Sequence, residues 1–150
     1  MKKEITTHSA IETKDLAEKI GRKLNACSCI LLGGELGSGK TTFTQGLAKG
    51  LDITRTVSSP TFTIMKVYQG RLSLYHIDAY RLEGLDQDLG FEELIEDDGV
   101  TVIEWPDYMK DRLPEEYLRL DIKRTSASGR KFTLSFKGAK YAALIKEIGL

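Results

Sequence analysis

Residues 34–41 read Gly-Glu-Leu-Gly-Ser-Gly-Lys-Thr and match the pattern G-x-x-x-x-G-K-[ST] at every defined position. This pattern forms a phosphate-binding loop, or P-loop, when it lies between a buried strand and a helix. Its glycines allow successive backbone N–H groups to turn inward around a phosphate, because positive φ angles cost glycine little. Lys40 can reach the β- and γ-phosphates as a mobile charge, and the Thr41 hydroxyl can bind Mg²⁺. The loop therefore predicts binding of a nucleoside triphosphate.

The sequence on both sides of the loop supplies the context that the motif needs. Residues 27–32 are apolar except for Ser28, which is typical of a strand buried on both faces in a parallel sheet. Residues 41–49 are predicted to form a helix, whose start adds unpaired N–H groups and a positive dipole end to the phosphate site. The residues expected to bind the nucleotide here are Leu36, Gly37, Ser38, Gly39, Lys40, Thr41 and Thr42.

Hydrophobic patterns elsewhere predict a mixed sheet of about seven strands flanked by four or five helices. Residues 9–12 fit a capping box at the start of a first helix. The other predicted strands are 3–7, 63–68, 72–77, 100–103, 117–122 and 131–136, and the other predicted helices are 91–96 and 141–148. A chain of 150 residues is the size of one ordinary domain. We therefore expect one α/β domain over residues 1–150, with a fold like that of P-loop NTPases.

Two acidic residues follow apolar strand patterns, as the metal- and water-organising acids of P-loop proteins do. Asp78 follows residues 72–77, and Glu104 follows residues 100–103. One carboxylate is expected to hold Mg²⁺, directly or through water, and the other to position or deprotonate the attacking water. The sequence leaves open which acid has which role. Together with Lys40, these two residues are the catalytic candidates.

Composition and charge limit the functions that the chain can have. Lys and Arg total 22, and so do Asp and Glu, which makes the formal net charge zero. A stand-alone nucleic-acid binder usually carries a basic excess. No apolar run approaches the ~18 residues of a membrane span, and the first residues show no apolar signal-peptide core. These features predict a cytoplasmic protein without a membrane partner.

The cysteines and histidines are not spaced as metal ligands. Cys27 and Cys29 lie two apart in an apolar run and are expected to be small buried residues. His76 is expected to be a strand residue satisfied by a neighbour, because no second His or Cys is spaced to join it in binding a metal.

The nucleotide is expected to be ATP, because the guanine-reading pattern N-K-x-D is absent. The one asparagine, Asn25, is followed by alanine. A small-molecule kinase would add a substrate pocket and an arginine-bearing lid. Only Arg124 and Arg130, which flank a predicted loop at residues 126–129, are placed for such a lid.

Four sequence blocks, in order, resemble the TsaE (YjeE) family: residues 34–43, 58–63 (Ser-Ser-Pro-Thr-Phe-Thr), 76–82 (His-Ile-Asp-Ala-Tyr-Arg-Leu) and 103–106 (Ile-Glu-Trp-Pro). The resemblance implies a bacterial Mg²⁺-dependent ATPase required for threonylcarbamoyladenosine modification of tRNAs that read ANN codons. It implies homologues of TsaD and TsaB as partners, with tRNA reached indirectly through that transferase complex. Hydrolysis is then expected to be weak alone and to be modulated by the partner proteins.

The resemblance also implies roles for individual residues. The family pattern sets Glu104 near the metal, as the motif does Thr41. Residues 59–62 resemble a switch segment, because a hydroxyl-rich loop with a stiff proline could sense the γ-phosphate and reorder on hydrolysis; the alternative is an ordinary turn before a strand. Trp105 is expected to pack beside the nucleotide, to face a partner, or to be an amphipathic rim residue. Arg130 is expected either to reach the nucleotide or to be a solvated charge. Two other functions stay open, a small-molecule P-loop phosphotransferase and a nucleotide switch that does not hydrolyse ATP.

Overall fold

A seven-stranded mixed sheet forms the centre of the molecule in the computed structural model, which describes residues 2–35, 37–58, 65–82 and 98–149. Its strands are β1 (Lys2–Thr7), β2 (Ser28–Gly33), β3 (Met65–Tyr68), β4 (Leu74–Asp78), β5 (Val100–Glu104), β6 (Tyr117–Arg124) and β7 (Arg130–Lys137). The order across the sheet is β1-β7-β6-β2-β5-β4-β3. The predicted α/β class and strand number are confirmed.

Three of the predicted helices lie among the described residues. The described residues contain three α-helices, α1 (Ala10–Lys23), α2 (Lys40–Gly50) and α3 (Ala139–Glu147), and two 3-10 helices, Ala79–Leu82 and Pro106–Arg112. The helix predicted at residues 91–96 lies outside the described residues. Within the described part of the chain, none of the helices has the length and apolarity needed to cross a bilayer.

Strand direction brings the candidate site to one edge of the sheet. Strand β2 pairs in parallel with β5 and β6, and β4 pairs in parallel with β5. The carboxyl ends of β2, β4 and β5 therefore meet, with Leu32 paired to Glu104 and Glu104 paired to Asp78. Strands β3, β7 and β1 are antiparallel to their neighbours. The P-loop and both predicted acids thus share the edge where open α/β sheets bind ligands.

Apolar side chains on both faces hold this sheet in place. Ile30 and Leu32 of β2 join a core with residues of all three helices, including Phe43 and Leu47 of α2. Leu31, on the opposite face, packs in a second cluster with residues of β4, β5 and the 3-10 helix Pro106–Arg112. Because every residue of β2 and β5 is buried, these strands read as continuous apolar runs.

The start of α1 follows the predicted capping box. The Ser9 hydroxyl accepts a hydrogen bond from the backbone N–H of Glu12 at 3.1 Å, and the Glu12 carboxylate accepts one from the N–H of His8 at 3.0 Å. The first contact satisfies an N–H group that the helix itself leaves unpaired, and the second holds the residue just before the N-cap.

Most predicted boundaries differ from the structure by one or two residues, and one predicted burial is wrong. Strand β4 begins at Leu74 rather than residue 72 and includes Asp78 as its last residue. Strand β2 begins at Ser28, because the preceding residue, Cys27, turns with φ 61. The expected burial is confirmed for Cys29 and is wrong for Cys27, which is exposed in that turn. A turn before the strand breaks the alternation that would have put both cysteines on one face.

Candidate nucleotide-binding site

The P-loop joins β2 to α2 through a backbone that requires glycine. Gly34, Gly37 and Gly39 have φ angles of 139, 78 and 108, which L side chains rarely adopt. A Cβ on Gly34 would also lie 2.7 Å from the backbone oxygen of Ile122. Gly39 is the N-cap of α2, and no side chain caps that end. The first N–H groups of α2 are therefore available to an anion.

Ser38 adds an unpaired polar group to this loop. The side chain is 4% exposed, and its Oγ has no hydrogen-bond partner within the part of the chain that the structure describes. A cavity of about 460 Å³ lies beside it, lined by the loop and by residues of β6 that include Ile122 and Arg124. A buried hydroxyl without a partner costs free energy, and a phosphate oxygen could accept its hydrogen bond. The loop therefore fits a phosphate.

Lys40 is folded back onto the loop. Its Nζ donates hydrogen bonds to the backbone oxygens of Gly34 at 2.5 Å and Glu35 at 3.1 Å. The same Nζ lies 4.1 Å from the centre of the Trp105 ring. Burial lowers the pKa of Lys40, and the negative charges of Glu104 and Asp78 partly oppose that shift. The lysine, the tryptophan and both acids thus form one electrostatically coupled group.

The two candidate acids have different surroundings. Glu104 is 5% exposed, and its Oε2 makes a hydrogen bond to Nε2 of the fully buried His76. The prediction that a neighbour satisfies His76 is confirmed for Nε2, whereas Nδ1 has no hydrogen-bond partner among the described residues. Asp78 is half-buried, and its Oδ1 accepts a hydrogen bond from the backbone N–H of Tyr80 at 3.1 Å. A side chain therefore holds Glu104, and the backbone of the next 3-10 helix holds Asp78.

The donor set at this edge fits Mg²⁺ that is shared with a nucleotide. Thr41, in the first turn of α2, is half-buried and carries a hydroxyl, and Glu104 and Asp78 carry carboxylates. In the described ranges no three His, Cys, Asp or Glu side chains are grouped as a protein-only metal cage. Mg²⁺ is usually held by one or two protein oxygens, substrate phosphates and water, so a protein-only cage is not needed here.

Arg130 reaches the P-loop from the first residue of β7. Its Nε donates to the backbone oxygen of Ser38 at 2.7 Å, and its Nη1 donates to the backbone oxygen of Gly129 at 2.8 Å. A Cβ on Gly39 would lie 3.2 Å from that Nε. Arg130 is thus half-buried against the loop rather than a solvated charge. Arg124 instead donates to the backbone oxygen of Ser126 at 3.1 Å.

An aromatic cluster flanks Lys40, and sequence reasoning assigned it no role as a group. We define the aromatic cluster as Tyr80, Trp105 and Tyr108, whose ring centres lie 5.4 to 6.5 Å apart. Tyr80 is 52% exposed and Tyr108 is 40% exposed. The sequence signal that could have identified the cluster is position, since Tyr80 lies two residues after Asp78 and Tyr108 lies three residues after Trp105. Both tyrosines lie on the 3-10 helices that leave the site strands.

Two predicted site segments cannot be placed. Leu36 and the predicted switch at residues 59–62 lie outside the described residues. Thr42 lies in the first turn of α2 and is half-buried.

A family model described as "Threonylcarbamoyl adenosine biosynthesis protein TsaE" matches residues 7–132. The chain belongs to the TsaE family. This match covers the P-loop, both strand-end acids and Arg130, so the TsaE resemblance expected from four sequence blocks is confirmed.

Individual TsaE relatives agree with that assignment. The "tRNA threonylcarbamoyladenosine biosynthesis protein TsaE" of Bacillus subtilis is 44% identical over 138 residues, which cover 91% of this chain and 87% of the relative. The protein of the same description from Treponema pallidum is 40% identical over 131 residues, which cover 86% and 97%. The crystal structure of YdiB from Bacillus subtilis matches with a TM-score of 0.85 and 36% identity, over 99% of this chain and 94% of YdiB.

Proposed function

We propose that this TsaE-family chain binds ATP at residues 36–42 and hydrolyses it with Mg²⁺, as part of threonylcarbamoyladenosine biosynthesis in tRNA. The observation that carries the proposal is the meeting of an uncapped glycine loop with two strand-end carboxylates at one edge of the sheet. A cradle for phosphate and a pair of acids beside it are the parts that phosphoryl transfer to water requires. The family's name supports the place of that reaction in tRNA modification.

Nucleotide binding would change the partners of Lys40. Its ammonium now donates to two carbonyl oxygens of the loop, and in the proposed complex it donates to β- and γ-phosphate oxygens instead. Backbone N–H groups of residues 37–41 bind the remaining phosphate oxygens. Because burial lowers the pKa of Lys40, nearby phosphate charge would favour its protonated form. Trp105 covers the ammonium and limits the access of water to it.

The residues proposed to hold Mg²⁺ are Thr41 and Glu104, with phosphate oxygens and water completing the coordination. The ion, when bound, would offset the negative charge that develops on the phosphates during transfer. Asp78 is proposed to orient the attacking water, since it is less buried than Glu104 and ends the adjacent strand. Arg130 holds the loop by its bond to the Ser38 oxygen and is proposed to contact the nucleotide from there.

The proposed partners are the TsaD and TsaB homologues of the same cell, and the proposed compartment is the cytoplasm. The ATPase would act on that transferase complex during modification of tRNAs that read ANN codons, and it would reach tRNA only through the complex. A formal net charge of zero supports this indirect role, because independent binding of tRNA would favour a basic surface.

The experiment that tests this function is ATP hydrolysis with Mg²⁺, measured for the wild type and Lys40→Ala. Each protein is assayed alone and with the TsaD–TsaB pair and tRNA. Lys49→Ala is the matched control, because Lys49 lies on the same helix but is exposed and pairs with Glu18 at 3.4 Å. We expect slow wild-type turnover alone, a change in the mixture, and loss of about a hundredfold or more in Lys40→Ala, the scale for removing one key donor.

Other outcomes would replace the proposal. Turnover that ignores the partners would contradict the role on the transferase complex. Transfer of labelled phosphate to an added metabolite would favour a phosphotransferase. Tight ATP binding without hydrolysis, even with all partners present, would favour a nucleotide switch.

A further inference from the structure

We propose that His76 is a positioning residue that orients the Glu104 carboxylate toward Mg²⁺, an inference that rests on the proposed function. The bond between His76 Nε2 and Glu104 Oε2 joins neighbouring parallel strands inside the sheet. Since that bond occupies Oε2, the second carboxylate oxygen is directed to the cation. His76 itself does not touch the nucleotide or the metal.

Strand register explains how a buried ring reaches a carboxylate at the strand end. His76 is paired with Val102, and Asp78 is paired with Glu104 two residues later. Side chains two residues apart on a strand lie on the same face. The His76 ring therefore lies on the same face of the sheet as the two acids, two residues further from the open edge. His76 has no exposed surface, whereas Glu104 keeps 5%, so only the carboxylate end of the pair borders the open edge.

Packing alone does not account for a histidine at this position. Its Nδ1 is buried and has no hydrogen-bond partner among the residues that the structure describes. An apolar side chain would fill the same space, as Leu74 and Val102 do on the same face of the sheet, without burying an unpartnered nitrogen. Among the described residues, Glu104 is the hydrogen-bond partner that an imidazole gains here. Asp78 needs no such support, because the backbone N–H of Tyr80 already holds it.

The test compares two amides of different length. His76→Gln can bring its amide nitrogen to the place of Nε2, whereas the shorter amide of His76→Asn ends near Nδ1 and cannot reach Glu104. Thr101→Val is the control, since Thr101 is also fully buried in the sheet and its hydroxyl has no partner in the described part of the chain. The measurement is the affinity for a fluorescent ATP analogue as a function of free Mg²⁺, and again in EDTA.

We expect His76→Asn to need about tenfold more Mg²⁺ for half-maximal tightening, the scale for loss of an outer partner of a metal ligand. His76→Gln should lie close to the wild type, and affinity in EDTA should be unchanged in all variants. Equal Mg²⁺ requirements in His76→Asn, Thr101→Val and the wild type would overturn the inference. Equal weakening in His76→Asn, His76→Gln and Thr101→Val would overturn it too, because it would reveal only a packing role.

A second measurement leaves His76 itself unchanged. The chain has two histidines, so a His8→Gln protein leaves His76 as the single source of imidazole ¹⁵N signals in NMR spectra. Addition of Mg²⁺ to the nucleotide complex should shift the Nε2 signal more than the nucleotide alone does. An unmoved signal would contradict the inference while leaving the proposed ATPase intact. If the wild type bound nucleotide without any response to Mg²⁺, the metal part of the proposed function would fail first, and the inference with it.

Discussion

Strands β2, β4 and β5 form a parallel centre, whereas β1, β6 and β7 form a side of the same sheet in which neighbours are antiparallel, joined to the centre by the parallel pairing of β6 with β2. Every residue of β2 and β5 is buried. Along β6 and the middle of β7, buried and partly exposed residues alternate instead. The centre carries the loop and both acids at its carboxyl edge. On the antiparallel side, the Arg130 guanidinium contacts the loop and the end of β6 lines the cavity beside it.

The central strands therefore carry the groups proposed to react, whereas the antiparallel side supports the loop and the stability of the fold. Parallel strands end together, so groups far apart in the chain meet at one edge. On the antiparallel side every second strand runs the other way, so the end of β6 and the start of β7 lie at the loop. We therefore expect changes at the ends of the central strands to affect the reaction most, and changes on the antiparallel side to act through the loop or through stability.

The largest effect in this comparison is expected at the two strand-end acids. Asp78→Asn and Glu104→Gln should each lower ATP turnover by about a hundredfold or more, because each removes a charge from the reacting site. Glu104→Gln should also raise the Mg²⁺ requirement, whereas Asp78→Asn should leave nucleotide affinity nearly unchanged. Turnover and nucleotide binding are measured on the same preparations. Normal hydrolysis by both variants would show that the parallel edge is not the reaction site.

A smaller effect is expected at Arg130. Arg130→Ala removes the hydrogen bond to the Ser38 oxygen and frees the loop around Gly39, so we expect nucleotide affinity to fall about tenfold, the ~1.4 kcal/mol typical of a hydrogen bond from a charged group. Lys131→Ala is the control, since the neighbouring Lys131 is turned to Glu4 at 3.2 Å. The two affinities are compared by titration with a fluorescent nucleotide. An equal change in both variants would mean that the antiparallel side does not act through this contact.

The antiparallel side and α3 are expected to matter for stability. The phenol oxygen of Tyr141, on α3, accepts a hydrogen bond from the backbone N–H of Cys29 at 2.8 Å. Tyr141→Phe leaves that buried N–H without its partner, which costs about 1–3 kcal/mol of the free energy of unfolding. Urea denaturation measures the loss, and half-buried Tyr117→Phe is the control. A large loss of Mg²⁺-dependent nucleotide affinity in folded Tyr141→Phe would contradict a role for Tyr141 in stability alone.

The smallest expected effect is on the pH dependence of stability, through the same contact of Cys29 with Tyr141. It is negligible at neutral pH and grows as the pH rises. Burial raises the pKa of both Cys29 and Tyr141 to about 12, from ordinary values of 9.0 and 10.0. The unfolded chain therefore loses these protons first, so the free energy of unfolding should fall as pH rises from about 9 toward 12. Denaturation at several pH values checks the slope. Tyr141→Phe should flatten it above pH 10, and an unchanged slope would contradict that assignment.

Local patterns predicted the parts of the fold that depend on near neighbours in the chain. The P-loop, the capping box at Ser9 and the apolar runs of β2 and β5 each follow from residues a few positions apart. The acids could be found because each ends such a run. Cys27 was misjudged for the same reason, since a single turn with positive φ is invisible in an apolar run.

The site's supporting contacts join residues that are distant in sequence. His76 and Glu104 are 28 positions apart, and Arg130 and Ser38 are 92 apart. Neither pair has a local signature, because strand order and register decide which side chains meet. The same holds for the aromatic cluster, whose members come from two different 3-10 helices.

The chain's own residues therefore determine the fold class, the phosphate loop and the likeness to the TsaE family, because backbone freedom, capping and apolar periodicity are local properties. Folding decides which strand ends lie side by side. It turns two isolated acids into a pair and sets Lys40 beneath Trp105. It also gives Glu104 a buried imidazole as its partner, because only packing brings groups from separate strands within hydrogen-bonding distance.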